Sequence, residues 1–200
     1  MAKLYCLMGL PGAGKSTVLY RLHNDCENVI FVPRITDRTV RPDELPPDEN
    51  PEYCFESRKW FKFHLRSKAF ASVENLGNYH YAVREDDIKR VLGDGQPGIV
   101  MAGYCGLELQ DKFLGRVETI FLTVPGIDLQ KSHILPNGAT DLALRMRSRG
   151  DSEIRVKERL ELAQRIIEVD KVHLRSSHII VNEIEKLEST VKNVRKIIFH

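Results

Sequence analysis

Several features that assign a protein to a class at a glance are missing from this sequence. Its 200 residues contain only four cysteines, and no two of them have C-x-x-C spacing. The histidines show no H-E-x-x-H spacing, so the sequence gives no indication of a structural zinc site. We therefore expect a reduced, intracellular and cytoplasmic protein. The cysteines are Cys6, Cys26, Cys54 and Cys105.

Strong charge of one sign and long apolar runs are also missing. Lys and Arg total 30, Asp and Glu total 28, and the net charge of +2 carries no global signature of nucleic-acid binding. No apolar run approaches the length needed to span a membrane. We therefore expect neither a nucleic acid polymer nor a membrane as a partner. The apolar fraction of 42% is close to the globular norm and can supply a substantial core.

The most informative motif is the segment G-L-P-G-A-G-K-S at 9–16, which matches the phosphate-binding loop pattern G-x-x-x-x-G-K-[ST]. An apolar, strand-like run precedes it and a helical stretch follows it. In this strand–turn–helix arrangement, successive backbone N–H groups converge on a polyphosphate. We expect Lys15 to reach the β- and γ-phosphates and the Ser16 hydroxyl to ligate Mg²⁺. The loop residues expected to contact the nucleotide are Gly9, Gly12, Ala13, Gly14, Lys15, Ser16 and Thr17.

The rest of the chain alternates strand-like and helix-like segments, which predicts an α/β fold with a parallel sheet covered on both faces. Strands are predicted at 4–8, 29–32, 98–102, 117–124 and 177–181, and helices at 17–22, 85–92, 140–147, 152–169 and 187–198. The segment 125–138 is rich in turn formers and is predicted to be a loop. Residues 33–84 interrupt this alternation of strand-like and helix-like segments. We therefore predict a single domain over 1–200, with a core at 1–32 and 85–200 and an inserted lobe at 33–84.

A first group of arginines opens the inserted lobe. Arg38 and Arg41 are three residues apart, a spacing that lets both guanidinium groups fork onto one phosphate with bidentate geometry. Read alone, the segment is also compatible with an ordinary solvated charged loop.

A second group of arginines surrounds Gly150. Arg145 and Arg149 share one helix face, and Arg155 and Arg159 repeat the i,i+4 spacing on the next helix. Two arginine pairs on either side of a glycine turn suit a hinged lid that stabilises a transferring phosphoryl group. The alternative is a salt-bridged helix pair with the nearby glutamates.

Taken together, these motifs resemble those of the guanylate kinase family of P-loop nucleoside monophosphate kinases, over almost the whole chain. The segment T-D-R-T-V-R-P-D-E at 36–44 is similar to the family motif T-T-R-x-x-R-x-x-E, and Y-C-F at 53–55 is similar to its Y-x-F. The arginines from 145 onward resemble its lid, and V-N at 181–182 resembles the segment beside the adenine. The resemblance implies a P-loop three-layer sandwich with an acceptor-binding lobe and an arginine-bearing lid at about 145–159.

The resemblance also implies roles for the matching residues. The expected catalytic residues are Lys15, Arg145, Arg149 and Arg159. The expected acceptor-binding residues are Arg38, Arg41, Tyr53 and Tyr81. Asn182 is expected beside the nucleotide, the cofactors are ATP and Mg²⁺, and Ser16 is the expected metal ligand. The implied partner is a small phosphorylated acceptor, a nucleotide or a sugar phosphate, bound by a monomer or homodimer.

The positions with which the family recognises guanine differ in this chain. Arg34 stands where the family has serine, and the glutamate that reads the guanine edge falls near Ala71. The Y-G-S/T turn is Y-A-V at 81–83, and the D-x-D strand end is M-A-G at 101–103. An apolar site discriminates far less between similar ligands than a site that forms hydrogen bonds with its ligand. We therefore expect that GMP, if used, is not strongly preferred over other phosphate acceptors.

The leading interpretation is an enzyme that transfers the γ-phosphoryl group of ATP to the phosphate of a small acceptor, in the first place a nucleoside monophosphate. One alternative is an enzyme similar to the ribose 1,5-bisphosphate phosphokinases, because K-L-Y-C-L-M-G at 3–9 resembles their K-L-x-x-L-M-G. A second is an inactive guanylate kinase-like binding module. A third, a nucleotide hydrolase, would want a carboxylate at the end of the strand 98–102, and none is there.

Overall fold

The computed structural model describes residues 1–41 and 44–200. Pro42 and Asp43 of the motif at 36–44 lie outside the described residues. The chain divides into two compact units. The first unit comprises Met1–Leu7 and Leu19–Glu118, and the second comprises Met8–Val18 and Thr119–His200. The predicted division into a core, a lobe at 33–84 and a lid at about 145–159 stays a prediction.

The helices and strands follow the predicted alternation. The strands are β1 (Leu4–Gly9), β2 (Ile30–Val32), β3 (Arg34–Thr36), β4 (Tyr53–Phe55), β5 (Phe70–Leu76), β6 (Tyr79–Arg84), β7 (Gly98–Met101), β8 (Val117–Thr123), β9 (Ile127–Asp128), β10 (His133–Ile134) and β11 (His178–Val181). The α-helices are α1 (Lys15–Asp25), α2 (Arg58–Arg66), α3 (Glu85–Asp94), α4 (Cys105–Lys112), α5 (Pro136–Ser148), α6 (Glu153–Gln164), α7 (Val172–Arg175) and α8 (Leu187–Phe199). A π-helical segment, Arg165–Val169, extends α6, and a 3₁₀ turn, Ile184–Lys186, precedes α8.

Parallel pairing organises the first unit. β7 pairs with β1 on one side and with β2 on the other, and both pairings are parallel. The residues of β7 are all buried, as expected for a strand with covered faces that reads as a continuous apolar run. α3 ends at Gly95, whose φ of 90° is the left-handed conformation that glycine adopts without strain.

The first unit also contains a four-stranded sheet in the order β4-β3-β6-β5. Successive side chains of a strand point to opposite faces, so the pairing register separates two faces. One face carries Ile35, opposite Ala82, which packs with Phe61 of α2 in an apolar cluster. The other face carries Arg34 opposite Tyr53, because these residues alternate with that cluster. This second face is polar yet buried, and we call it the polar face.

Parallel pairing recurs in the second unit, where β11 pairs with β8. α5 begins with Pro136 in its first turn, a position at which the missing N–H is no loss. α6 begins after Ser152, whose hydroxyl accepts a hydrogen bond from the Arg155 backbone N–H. Among the described helices, none is long and apolar enough to cross a membrane.

The structure corrects two boundaries of the sequence analysis. The segment 125–138 is not a continuous loop, because it contains the antiparallel hairpin β9–β10 and the first turn of α5. The hairpin is held by Glu168, which accepts hydrogen bonds from His133 Nδ1 at 2.7 Å and from the Ile134 N–H. The helix predicted at 152–169 is α-helical only to Gln164, after which the backbone continues as the π-helical segment.

Candidate functional site

The phosphate-binding loop lies in the second unit, where β1 ends and α1 begins. Gly9 has φ 139°, and a Cβ there would lie 2.0 Å from the Leu122 carbonyl oxygen. Gly14 has φ 88°, and a Cβ there would lie 2.5 Å from Nδ2 of Asn182. The positive φ angles and the lack of space for a Cβ therefore both require glycine at these positions. Ala13, between the glycines, is fully buried and donates its N–H to the Leu10 carbonyl at 3.1 Å.

Lys15, Ser16 and Thr17 form the first turn of α1, directly after the loop. The backbone N–H groups of a helix start have no intrahelical partner and point toward an anion, and the helix dipole adds to the attraction. The Lys15 ammonium donates hydrogen bonds to the carbonyl oxygens of Gly9 and Leu10, each at 3.0 Å. The first two carbonyl groups of the loop therefore hold the Lys15 ammonium beside it.

Asn182, the residue directly after β11, binds the loop through its side chain. Its side-chain amide donates to the Ala13 carbonyl at 2.8 Å, and its Oδ1 accepts from the Thr190 hydroxyl of α8 at 2.9 Å. Its own carbonyl oxygen accepts a hydrogen bond from Arg145 Nη2 at 2.8 Å. Both polar atoms of the Asn182 side chain therefore bond within the second unit, and its place beside a nucleotide stays a prediction.

Arg145 lies in the last turn of α5 and is mostly buried. Besides its bond to Asn182, its Nε donates to Asp141 Oδ2, one turn earlier, at 3.0 Å. These two bonds hold the guanidinium in one orientation.

Arg149 and Arg159 meet at one carboxylate, Asp151, in the turn between α5 and α6. Arg149 Nη2 donates to Asp151 Oδ2, and Arg159 Nη1 lies 3.5 Å from the same oxygen. Burial of Asp151 opposes its ionisation, but the hydrogen bond from Arg149 and the nearby arginine charges hold its pKa below the usual range. Gly150, with φ 88°, makes this turn possible.

In the first unit, the polar face brings Tyr53 of β4 and Tyr81 of β6 within 5.9 Å, ring centre to ring centre. Arg34 of β3 lies between them, 4.8 Å above the Tyr81 ring, and donates to the Tyr53 hydroxyl at 3.4 Å. Its Nη1 also donates to Glu74 Oε2 of β5 at 3.0 Å. Burial raises the pKa of Tyr53, so its hydroxyl keeps its proton and can donate it in a hydrogen bond.

Arg38 and Arg41 lie after β3, and both are held by Glu44. Arg38 makes a two-pronged pair with the Glu44 carboxylate, with one bond of 2.7 Å, and stacks 4.5 Å from the centre of the Tyr53 ring. The Arg41 N–H donates to Glu44 Oε2 at 2.9 Å, while its side chain remains partly exposed. Burial of Glu44 opposes ionisation, but the bonds from Arg38 and Arg41 keep its pKa below the usual range.

Asp37, which replaces the second threonine of the family motif, ties this segment to β6. Its carboxylate accepts the His80 N–H at 2.8 Å and His80 Nδ1 at 2.7 Å, and lies 3.4 Å from Arg58 Nε. Burial opposes its ionisation, yet these contacts leave the pKa of Asp37 lowered. The aspartate therefore fixes the backbone immediately before Arg38.

Sequence reasoning assigned no structural partner to two carboxylates of these clusters. Glu74 lies three residues beyond Ala71, the position that the motif comparison pointed to. Its place opposite Tyr81 could have been found from the strand alternation of β5 and β6. Asp151 follows Gly150, and nothing in the local spacing marks it as the partner of Arg149 and Arg159.

The residues present suit a nucleotide with Mg²⁺. The loop fits a polyphosphate because its glycine positions exclude a Cβ, and the Ser16 hydroxyl lies at the helix start beside it. Among residues 1–41 and 44–200, no three His, Cys, Asp or Glu side chains come together in a group able to hold a metal by themselves. A metal at Ser16 would therefore take most of its ligands from phosphate oxygens and water, as Mg²⁺ does in such sites.

Several proteins named guanylate kinase are similar to the chain over nearly its full length. The chain is 30% identical over 200 residues to that of Trichodesmium erythraeum (strain IMS101), covering 99% of this chain and 96% of that protein. It is 27% identical over 201 residues to that of Porphyromonas gingivalis, covering 99% and 97%. Its fold is similar to the crystal structure of a guanylate kinase from Anaplasma phagocytophilum, with a TM-score of 0.66 at 16% identity, covering 98% and 84%. No family model matches the chain.

Proposed function

The chain belongs to the guanylate kinase family, and on that premise we propose that it phosphorylates GMP with ATP and Mg²⁺ through the residues described above. The family membership makes it an ATP-dependent phosphotransferase that acts on a nucleoside monophosphate, within an α/β fold. The observation that carries the proposal is this full-length relationship together with a complete phosphate-binding loop. Cytoplasmic action, in keeping with four free cysteines, is part of the proposal.

In the proposal, the second unit binds the phosphoryl donor. The loop N–H groups and Lys15 surround the phosphates of ATP, and Arg145, Arg149 and Arg159 supply positive charge to the γ-phosphoryl group in transfer. Mg²⁺ held at the Ser16 hydroxyl would neutralise part of the phosphate charge. Support comes from Asn182, whose bonds fix both the loop and Arg145.

The first unit binds the acceptor in the same proposal. Arg41 is partly exposed and Arg38 stacks on Tyr53, so that two guanidinium groups and a phenol hydroxyl can hold one phosphate. Tyr81, beside Tyr53, completes this set. The acceptor phosphate oxygen is already a nucleophile at neutral pH, so the reaction needs no general base. Positioning and charge neutralisation account for the rate.

The other interpretations are not favoured. A binding module without activity has no physical need for a complete loop, a loop lysine and arginines beside it. The relatives reported above are guanylate kinases, and none of them supports the ribose 1,5-bisphosphate alternative.

The experiment is an assay of the purified protein with ATP, Mg²⁺ and one acceptor at a time, with products identified by mass spectrometry. The acceptors are GMP, AMP, CMP, UMP and ribose 1,5-bisphosphate. We expect GDP and ADP in equal amounts from GMP. Turnover of ribose 1,5-bisphosphate and of no other acceptor would support the alternative function, that of a ribose 1,5-bisphosphate phosphokinase. Binding of ATP without turnover of any acceptor would indicate the inactive module.

A further inference from the structure

The surface around α2 carries a local concentration of positive charge. The segment 57–68, which contains α2, has five basic residues and no acidic residue, whereas the whole chain has a net charge of only +2. Neither that total nor the lack of a membrane-spanning run describes a single surface, so the expectation of no membrane partner does not extend to this one. The basic residues are Arg58, Lys59, Lys62, Arg66 and Lys68.

Packing determines which side of α2 faces the solvent. Phe61 is fully buried in the apolar cluster of the four-stranded sheet, and Trp60 packs against the same cluster. The Trp60 ring also stacks on the ring of His64, one turn later, with 3.6 Å between the ring centres. The side of α2 that carries these three residues is therefore held against the sheet, and the other side is left to the solvent.

The solvent side of α2 combines cations with apolar side chains. Lys59, Lys62, Phe63 and Arg66 have the spacing i, i+3, i+4 and i+7, which places them on one side of a helix, and all four are exposed. Phe63 is 67% exposed, and Leu65, which borders Lys62 on the same side, is 43% exposed. We call these five residues the basic face.

The cations of the basic face have no counter-charge within the part of the chain that the structure describes. Lys59, Lys62 and Arg66 form no ion pair there, whereas the exposed Lys89 of α3 lies 3.1 Å from Glu85. Three neighbouring like charges repel one another, and an anionic partner would relieve that repulsion. Solubility alone would account for the cations, but it does not account for a phenylalanine exposed among them.

We propose that the basic face docks on an anionic lipid surface. Lys59, Lys62 and Arg66 bind the headgroup phosphates, because cationic side chains are attracted to the negative potential of such a surface. Phe63 and Leu65 enter the boundary between headgroups and acyl chains, as apolar side chains of interfacial helices do. The docking is reversible, since even a single myristoyl chain gives only marginal membrane binding.

The composition of the basic face favours a lipid surface over a nucleic acid. Proteins that bind single strands combine a positively charged groove with aromatic rings on which successive bases stack. The basic face is the outer side of a helix and has one aromatic ring, Phe63, while Leu65 offers a base no stacking surface. A lipid surface binds the cations and both apolar side chains at once.

Docking by the basic face leaves the polar face open. α2 packs on the side of the four-stranded sheet that carries Ile35, and the polar face, with Arg34 and Tyr53, is the other side. No residue of the basic face belongs to the sets proposed to bind ATP or the acceptor. The lipid-binding proposal therefore goes beyond the proposed function and does not depend on it.

The test is co-sedimentation of the full-length protein with two kinds of vesicle, one of phosphatidylcholine and one of phosphatidylcholine and phosphatidylglycerol in equal parts. We expect binding to the mixed vesicles, weakening as salt is raised, and none to phosphatidylcholine alone. Lys59→Gln/Lys62→Gln/Arg66→Gln should bind the mixed vesicles about 10²-fold more weakly, which is about fivefold for each charge. Phe63→Ala should bind them about tenfold more weakly, because it loses apolar burial.

The matched control removes the same charges from another helix. Lys192, Arg195 and Lys196 of α8 are exposed and lie on one side of that helix, at i, i+3 and i+4. Lys192→Gln/Arg195→Gln/Lys196→Gln therefore changes the net charge as much as the α2 triple variant does. We expect the control to bind the mixed vesicles within about threefold of wild type. Kinase activity without vesicles and thermal unfolding should match wild type in all three variants, because every substituted side chain is exposed.

Several results would overturn the lipid-binding proposal while the proposed function stands. One is the absence of wild-type binding to the mixed vesicles, and another is unchanged binding in Phe63→Ala. Equal weakening in the two triple variants would show attraction by net charge with no preferred face. Tighter binding to single-stranded polyuridylate than to the mixed vesicles, lost in the α2 triple variant, would make a nucleic acid the partner.

Discussion

In each of the two units a single carboxylate binds two arginines, but the exposure of those arginines differs. In the first unit, Glu44 pairs with Arg38, whose side chain is 3% exposed. In the second, Asp151 pairs with Arg149, which is 37% exposed, and lies near Arg159, which is 20% exposed. The second arginine beside Glu44, Arg41, is 34% exposed. Glu44 and Asp151 are themselves 10% and 7% exposed, so the difference in depth lies between Arg38 and the other three arginines.

The difference in depth implies a difference in purpose. Moving a buried arginine away from its counter-charge is expensive, so the first unit keeps Arg38 preorganised. Arg149 and Arg159 are partly exposed, so water and salt screen their attraction to Asp151, and they can exchange it for another anion at lower cost than Arg38 could leave Glu44. Preorganisation suits recognition of an acceptor, and ready exchange suits arginines that act on a phosphoryl group in transfer.

The largest expected effect comes from the loop of the second unit. Lys15→Ala removes the charge that follows the γ-phosphate, and we expect turnover to fall by about 10³-fold or more. Circular dichroism and thermal unfolding should match wild type. The control is Lys192→Ala, an exposed lysine of α8 in the same unit. Activity of Lys15→Ala within about threefold of wild type would contradict the placement of the ATP site in the second unit.

The next effect concerns the three arginines that we propose act on the phosphoryl group in transfer. Alanine at Arg145, Arg149 and Arg159 should lower the rate by about 10³-fold or more, because these charges act mainly in the transition state. Steady-state kinetics should show the fall in kcat more than in KM. Arg147→Ala, on the same helix but paired with Glu153, is the matched control and should be near wild type. A change in KM alone for the triple variant would contradict the proposed role.

A pair of neutralising variants tests the contrast in burial. Glu44→Gln leaves the buried Arg38 without a counter-charge, and we expect a loss of about 3–5 kcal/mol in the free energy of unfolding. Asp151→Asn leaves partly exposed arginines whose charge water can solvate, and we expect a smaller loss, of about 1–2 kcal/mol. Both are measured by denaturant unfolding at pH 7. Equal losses in the two variants would mean that depth of burial does not distinguish the two clusters.

The smallest effect is a pH dependence. The pKa of Glu44 lies below its ordinary value of 4.5 in the folded state. Its ionised form therefore adds stability that is complete above pH 4.5 and is lost as the pH falls through the lowered value. The difference in unfolding free energy between wild type and Glu44→Gln should be constant from pH 7 to about 5 and shrink below. A difference that grew on acidification would have the wrong sign.

The sequence predicted the parts of the site that depend on local patterns. The loop at 9–16 follows from glycine and lysine spacing, and the helices that carry Arg145 and Arg159 follow from periodicity. The resemblance to guanylate kinases that these motifs carried is confirmed by the relatives.

What the sequence could not predict depends on contacts between distant segments. The pair of Arg34 with Glu74 spans 40 positions, and the bond of Asn182 to Ala13 spans 169. The expectation that GMP is not strongly preferred over other phosphate acceptors stays a prediction.

The most direct test of the division between the units is separate binding of ATP and GMP to wild type, Lys15→Ala and Arg41→Ala by calorimetry. Arg41 is chosen because its side chain is partly exposed and its removal should leave the buried pairs intact. We expect Lys15→Ala to weaken ATP about tenfold or more with GMP unchanged, and Arg41→Ala to weaken GMP about tenfold or more with ATP unchanged, since each loses one charge-assisted phosphate contact. Equal weakening of both nucleotides in both variants would contradict the assignment of donor and acceptor to different units.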